Sequence, residues 1–212
     1  MVVSPPKTAP GRRTASKAER RLQLIKATIR SIAKRGLSET TMAAVAGEAR
    51  LSQGIINLHF QSKERLLIET LRYVADEYRA TWEKALQGAG NSNAERLEAL
   101  VYADFSKPVC DRNKLSVWFA FWGESKSRPT YRKICAERDR EYDEMLTDLC
   151  AGLIAEGPYP GVDPALVATG LASMSEGLWL DLLVDPDSMS PEKAMRVYQV
   201  YLAGMFPKHF AY

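Results

Sequence analysis

Four polar side chains, Gln53, Asn57, His59 and Lys63, cluster in one short stretch, "QGIINLHFQSKERLL". Gln53 and Asn57 carry carboxamides that can form paired hydrogen bonds to adenine, or single bonds elsewhere. His59 and Lys63 can donate to phosphate, and Lys63 is aided by the N-terminus of the helix that starts beside it. Gly54 permits a close backbone approach that a longer side chain would prevent. Ile55 and Leu58 face the same open side. Ile56 and Phe60, four residues apart, can pack inward with Leu51. With Thr41, the outward residues are the candidate DNA contacts. The alternative is an ordinary surface helix with incidental polar residues.

A second cluster is aromatic. Trp118, Phe121 and Trp122 share one helical sector, and Trp179 sits on another segment near Glu176 and Asp181. Aromatic faces attract quaternary ammonium groups, and adjacent carboxylates reinforce that attraction. With Tyr131, these rings and Glu176 are the candidate contacts of a cationic small molecule. For any single tryptophan, a plain core position is the simpler account, and Glu124 reads equally well as a solvated charge.

Other signals are weak. "SIAK" at 31–34 and "SPEK" at 190–193 match the S-x-x-K of serine acylases, but neither Ser-Asp-Asn nor Lys-Thr-Gly accompanies them. Cys110, Cys135 and Cys150 and the two histidines lack metal-ligand spacing, so neither a metal nor a cofactor is expected. His209 reads as a surface residue. Three widely spaced cysteines suit reduced thiols in a cytoplasmic protein.

The elements that position these residues follow from periodicity. Leu22, Ile25, Ile29 and Ile32 form one helical face, and Gly36 is a natural stop. "ETTMAAVAGEAR" opens a second helix with Thr40 as its expected N-cap. Ser52 is positioned to cap a third helix running through Phe60, and Ser62 a longer fourth helix reaching about residue 87. Beyond "GAGNSN", helices are predicted near 94–106, 112–125, 129–156, 164–184 and 190–206. No stretch alternates long enough to be a strand, and charges or prolines interrupt each apolar run before it reads as a membrane span. The chain is therefore predicted to be all-α.

Charge divides the chain. Residues 1–63 hold twelve Lys or Arg against three Glu, a surplus of +9, while the remainder holds 17 basic and 23 acidic residues, or −6. A basic head on an acidic body points to a polyanionic partner for the head. Two short helices joined by about three residues and flanked by longer ones fit a helix-turn-helix, with the second helix in the DNA major groove.

"TTMAAVAGEARLSQGIINLHFQSKERLL" resembles the DNA-binding domain of TetR-type bacterial repressors. Two positions depart from that pattern. Arg50 stands where a glycine is usual in the turn, and Asn57 where a tyrosine usually contacts phosphate. "SVWFAFWGES", "RPTYRKI" and "SEGLWLDLLVD" resemble, more loosely, the C-terminal domain of BetI-type repressors, which control choline uptake and its conversion to glycine betaine. The resemblance implies an obligate homodimer that reads a palindromic operator and carries a ligand pocket in its C-terminal domain.

These readings define a disordered basic arm (1–16), a three-helix helix-turn-helix domain (17–61) and a C-terminal helical ligand-binding and dimerisation domain (62–212). The expected function is ligand-responsive repression, with choline or a related cation releasing the operator. The last two helices are expected to form a four-helix dimer interface. The alternatives are a regulator of an unrelated ligand or efflux gene, a DNA-binding adaptor without a ligand, and an all-α enzyme with its site near Trp118 and Trp122.

Overall fold

The computed structural model describes residues 16–211, so the basic arm proposed for 1–16 lies, apart from Ser16, outside the described residues. Helices α1 (Lys17–Glu39), α2 (Met42–Ala49) and α3 (Gln53–His59) form the head. Helices α4 (Lys63–Gly88), α5 (Asn93–Asp104), α6 (Arg112–Glu124), α7 (Pro129–Glu156), α8 (Pro164–Val184) and α9 (Pro191–Met205) form the body. No strand occurs among the described residues.

Local chemistry sets these boundaries. Ser16 and Glu19 cap α1 reciprocally, side chain to backbone in both directions. Helical dihedrals break at Gly36, whose φ of 80° is open to glycine at little cost, and one further turn follows. The N-cap of α2 is Thr41 rather than the expected Thr40: the Thr41 hydroxyl accepts from Ala44 N at 3.1 Å. Thr40 is buried instead, and its hydroxyl donates to the Gly36 carbonyl at 2.9 Å, fastening the end of α1. Ser52 precedes α3 in extended conformation but makes no side-chain cap bond. Asp163 caps α8 and Ser190 caps α9, each followed by a proline at the first helical position, where no backbone donor is lost.

The turn between α2 and α3 closes through Arg50, which adopts φ 55° and ψ 42°. Its N–H donates to Gly47 O at 3.0 Å and that of Leu51 to Ala46 O at 2.9 Å, a Schellman closure. Among the described residues Arg50 alone combines a side chain with positive φ. The turn keeps the shape a glycine would give it, at a steric cost of about 1–2 kcal/mol.

Head and body share one core. Ile56 and Phe60 are fully buried, as the spacing predicted. Helix α1 packs on α6, and α4 runs from the head into the body to pack on α5 and α7. In the body, Asp104 at the end of α5 is a buried junction. Its carboxylate accepts from Tyr78 (2.8 Å), Tyr142 (2.8 Å) and Ser175 (2.7 Å), and its carbonyl accepts from Trp179 Nε1 at 3.0 Å. One residue thus ties α4, α7 and α8 to α5. Burial raises its carboxyl pKa above the ordinary value, while the three hydroxyls and Arg138 pull it down.

Two expectations about the surface change. His209 is half-buried rather than a surface residue, with Nδ1 2.9 Å from the Tyr159 hydroxyl, and so holds the C-terminal turn. Helix α8 is long and apolar enough to cross a membrane by length and composition, although the sequence pattern offered no such span. It packs on α7 and α6 and carries Glu176, which is paired with Arg138. Its other face leaves Leu166, Leu180 and Val184 exposed.

Candidate functional site

The head presents α3 outward. Gln53, Gly54, Asn57 and Leu58 are exposed, Leu58 at 76%. Ile55 is half-buried, and Thr41, exposed at the head of α2, spends its hydroxyl on its own helix cap. A Cβ on Gly54 would meet only Ser52 Oγ, at 3.8 Å, so the protein itself leaves room for one. The value of a glycine there lies in an approaching partner rather than in the fold.

His59 and Lys63 sit differently from the rest. Nδ1 of His59 is buried without a hydrogen-bond partner. Burial first, then the charges of Arg21, Lys17 and Arg20, hold the ring pKa below its ordinary value. That shift favours the neutral ring. The His59 carbonyl accepts from Arg21, whose guanidinium also pairs with Glu69 and lies 4.6 Å from the Phe60 ring centroid. Lys63 Nζ donates to the Ser38 carbonyl at 2.9 Å, which holds it at the junction of α1 and α4.

The aromatic residues of the body divide into two groups. Trp118 and Trp122 stack, one turn apart on α6, with centroids 6.0 Å apart. Tyr78 and Trp179 meet edge to face at 5.6 Å. All four surround one side chain that sequence reasoning passed over. The Arg138 guanidinium carbon lies 4.7 Å from the Trp118 ring centroid, 5.3 Å from Trp122, 5.3 Å from Tyr78 and 6.0 Å from Trp179. Arg138 is only 8% exposed, pairs with Asp139 and with Glu176 (3.2 Å), and has one nitrogen, Nη1, with no partner. Three of the rings singled out in the sequence, Trp118, Trp122 and Trp179, thus gather with Tyr78 around the protein's own cation.

Phe121 and Tyr131 belong elsewhere. They pack edge to face at 4.8 Å, and the Tyr131 hydroxyl donates to Glu64 at 3.0 Å, with Arg128 also 3.3 Å from that carboxylate. Burial first, and then the Glu64 bond, push the Tyr131 phenol up. This group joins the first turn of α4 to the first turn of α7.

Beside Arg138 a cavity of about 180 Å³ opens between α7 and α8. Tyr78, Trp179, Asp139, Asp143 and Glu176 contribute to its wall, together with Arg138 itself. It is smaller than the roughly 300–1,000 Å³ of drug-sized sites and suits a small guest. Burial, and then the neighbouring Asp139, raise the Asp143 pKa; burial likewise raises that of Glu176, against the pull of Arg138. No group of three metal-ligating side chains occurs among the described residues.

The outward helix on a basic head, joined through α4 to an aromatic and acidic chamber, is the layout of a one-component regulator. Residues 24–70 match the family of bacterial regulatory proteins, tetR family, so the chain is a member of the TetR family. Residues 93–207 match the BetI-type transcriptional repressor C-terminal family, which makes it a TetR-family repressor with a BetI-type C-terminal domain. The chain is 33% identical over 183 residues to the HTH-type transcriptional regulator BetI of Burkholderia mallei, covering 86% of this chain and 91% of that protein. It is 35% identical to that of Paraburkholderia phymatum over 184 residues, with the same coverage. Among solved structures, a transcriptional regulator from Pseudomonas aeruginosa superposes with a TM-score of 0.80 at 25% identity, covering 93% of this chain and 97% of that one. A Saccharomonospora viridis regulator solved in complex with choline superposes with a TM-score of 0.78 at 24% identity, covering 87% and 96%. These relatives are regulators of transcription, not enzymes, which removes the enzyme alternative.

Proposed function

We propose that this repressor is a cytoplasmic homodimer that binds a palindromic operator through α3 and releases it when a small organic cation of the choline class enters the body. The observation that carries the ligand reading is the ring of Trp118, Trp122, Tyr78 and Trp179 beside the Asp139, Asp143 and Glu176 carboxylates. Aromatic faces with adjacent carboxylates select a weakly hydrated cation over a neutral molecule of the same shape. The choline complex of the Saccharomonospora viridis regulator is consistent with this chemistry. Phe121 and Tyr131, candidates for ligand contact by sequence, take a different role in this reading: they carry the signal from α7 to α4.

On the DNA side, Gln53 and Asn57 are proposed to read bases and Lys63 to hold phosphate, with the chain dividing into head and body near residue 61. The dimer reading rests on α8 and α9, where Leu166, Leu180, Val184, Val200 and Tyr201 stay exposed in the single chain. Exposed apolar side chains on two adjacent helices need cover, and a second copy provides it with the symmetry a palindrome requires.

The test is release of DNA. An operator selected from random duplexes is bound by the dimer, and choline or its neutral isostere 3,3-dimethylbutanol is added. Choline releases the operator and the neutral compound does not. Equal release by both, or by neither, rejects the cation reading.

A further inference from the structure

We infer that Arg138 is a tethered occupant of the effector site: its guanidinium fills the aromatic box in the empty protein, and an incoming organic cation takes its place. The inference rests on the cation reading above and adds a competitor to it.

Three observations converge. The guanidinium lies within cation–π range of four rings from α4, α6 and α8, which is more aromatic coverage than an ion pair requires. Guanidinium and quaternary ammonium are both weakly hydrated, charge-delocalised cations, so a box that suits one suits the other. Arg138 is also imperfectly housed, since its Nη1 is buried without an acceptor. A permanent structural arginine would be expected to have that donor satisfied.

The way in is present as well. Trp118 and Trp122 do not reach the cavity wall, whereas Arg138, stacked on both, does. Three carboxylates, Asp139, Asp143 and Glu176, face the same space as this one cation, leaving a formal charge of −2. A second cation can therefore enter before the first departs. Arg138 is already paired with Asp139 and Glu176, whose side chains are 37% and 41% exposed, so it can leave the rings for the rim without giving up either partner. Because Arg138 sits on α7, the exchange loads the helix whose first turn contacts Glu64.

The experiment compares wild type, Arg138→Ala and Arg138→Lys by calorimetric titration with choline, ethylguanidinium and 3,3-dimethylbutanol. Removing the occupant should tighten choline at least tenfold and create binding of ethylguanidinium, which mimics the missing side chain, with no gain for the neutral alcohol. Arg138→Lys, whose compact and strongly hydrated ammonium suits the rings less well, should fall between the two. If the folded variants bind both cations no more tightly than wild type, the inference is overturned, even where wild type binds choline and the effector reading stands. If the variants bind cations and wild type does not, the tethered occupant stands and choline falls as the effector. Should Arg138→Ala fail to fold, Arg138→Lys decides on the same criterion. A further readout comes from wild type where it binds choline: the Arg138 side-chain protons, shifted upfield by the rings, must move towards solution values as choline saturates. Unmoved Arg138 resonances at saturation overturn the proposal.

Discussion

The hydroxyl of Tyr131 donates to the Glu64 carboxylate at 3.0 Å, linking the first turn of α7 to the first turn of the helix that follows α3. Tyr131 lies seven residues before Arg138 on the same helix, so the contact and the aromatic box are about 10 Å apart along one rod. Coupling between two sites needs an element that both can bias, and α7 is the element proposed for that part.

Replacing Glu64 with glutamine removes the Arg128 ion pair and keeps a hydrogen-bond acceptor for Tyr131. The variant should bind operator and effector near wild-type strength, but choline should release DNA several-fold less effectively. Operator anisotropy measured with and without saturating choline provides the check. An unchanged ratio would remove this contact from the signalling route.

On the DNA surface, Lys63→Ala should weaken binding to specific and random duplexes alike and reduce the salt dependence by about one ion's worth. Gln53→Ala should instead relax preference at one base position, a loss of about 1–3 kcal/mol in discrimination. Salt-series binding curves on operator and scrambled DNA separate the two roles. Equal losses on both duplexes for both variants would contradict the assignment.

Arg50→Gly should raise stability by about 1 kcal/mol, because glycine enters the left-handed region without the Cβ clash. Urea denaturation measures it through a higher midpoint at an unchanged slope. The same change removes a positive charge from the turn, so non-specific DNA affinity should fall slightly.

The His59 ring has a lowered pKa, so the folded head binds fewer protons than the unfolded chain in the window just below about 6.5. Stability therefore rises with pH through that window and is lost as pH falls through it. His59→Gln should flatten this part of the stability profile while leaving values above pH 7 little changed. A profile as steep as wild type would show that another group carries the acid loss.

Asp104→Ala leaves three buried hydroxyls without their acceptor. The expected loss is about 2–4 kcal/mol, read by thermal or urea unfolding. Asp104→Asn keeps one oxygen in place and should cost less.

Much of the architecture was legible because local chemistry was strong. The predicted ranges 129–156, 164–184 and 190–206 fall within a residue of α7, α8 and α9, whose starts are set by Pro129, by the Asp163 cap with Pro164 and by the Ser190 cap with Pro191. The outward and inward faces of α3 followed from the spacing of Ile56 and Phe60. Thr40 and Thr41 were interchangeable as caps in sequence; only tertiary burial of Thr40 separates them. Arg138 lies in "ERDREYDEM", a run that reads as a solvated charged face, and nothing local marks it as buried. Asp104 was hidden in the same way, since its three partners come from residues 26 to 71 positions away. Phe121 was assigned to the tryptophan sector by adjacency, yet one step around the helix turns it towards Tyr131.

The division of charge between a +9 segment ending at Lys63 and a −6 remainder gives the molecule an electric polarity along its length. Near a duplex, the field of the phosphates turns the approaching repressor head first and repels encounters led by the body. Fewer collisions are wasted on the wrong orientation, and the advantage fades as salt shortens the reach of the field to about 8–10 Å. Association rate, more than final affinity, should therefore record this polarity.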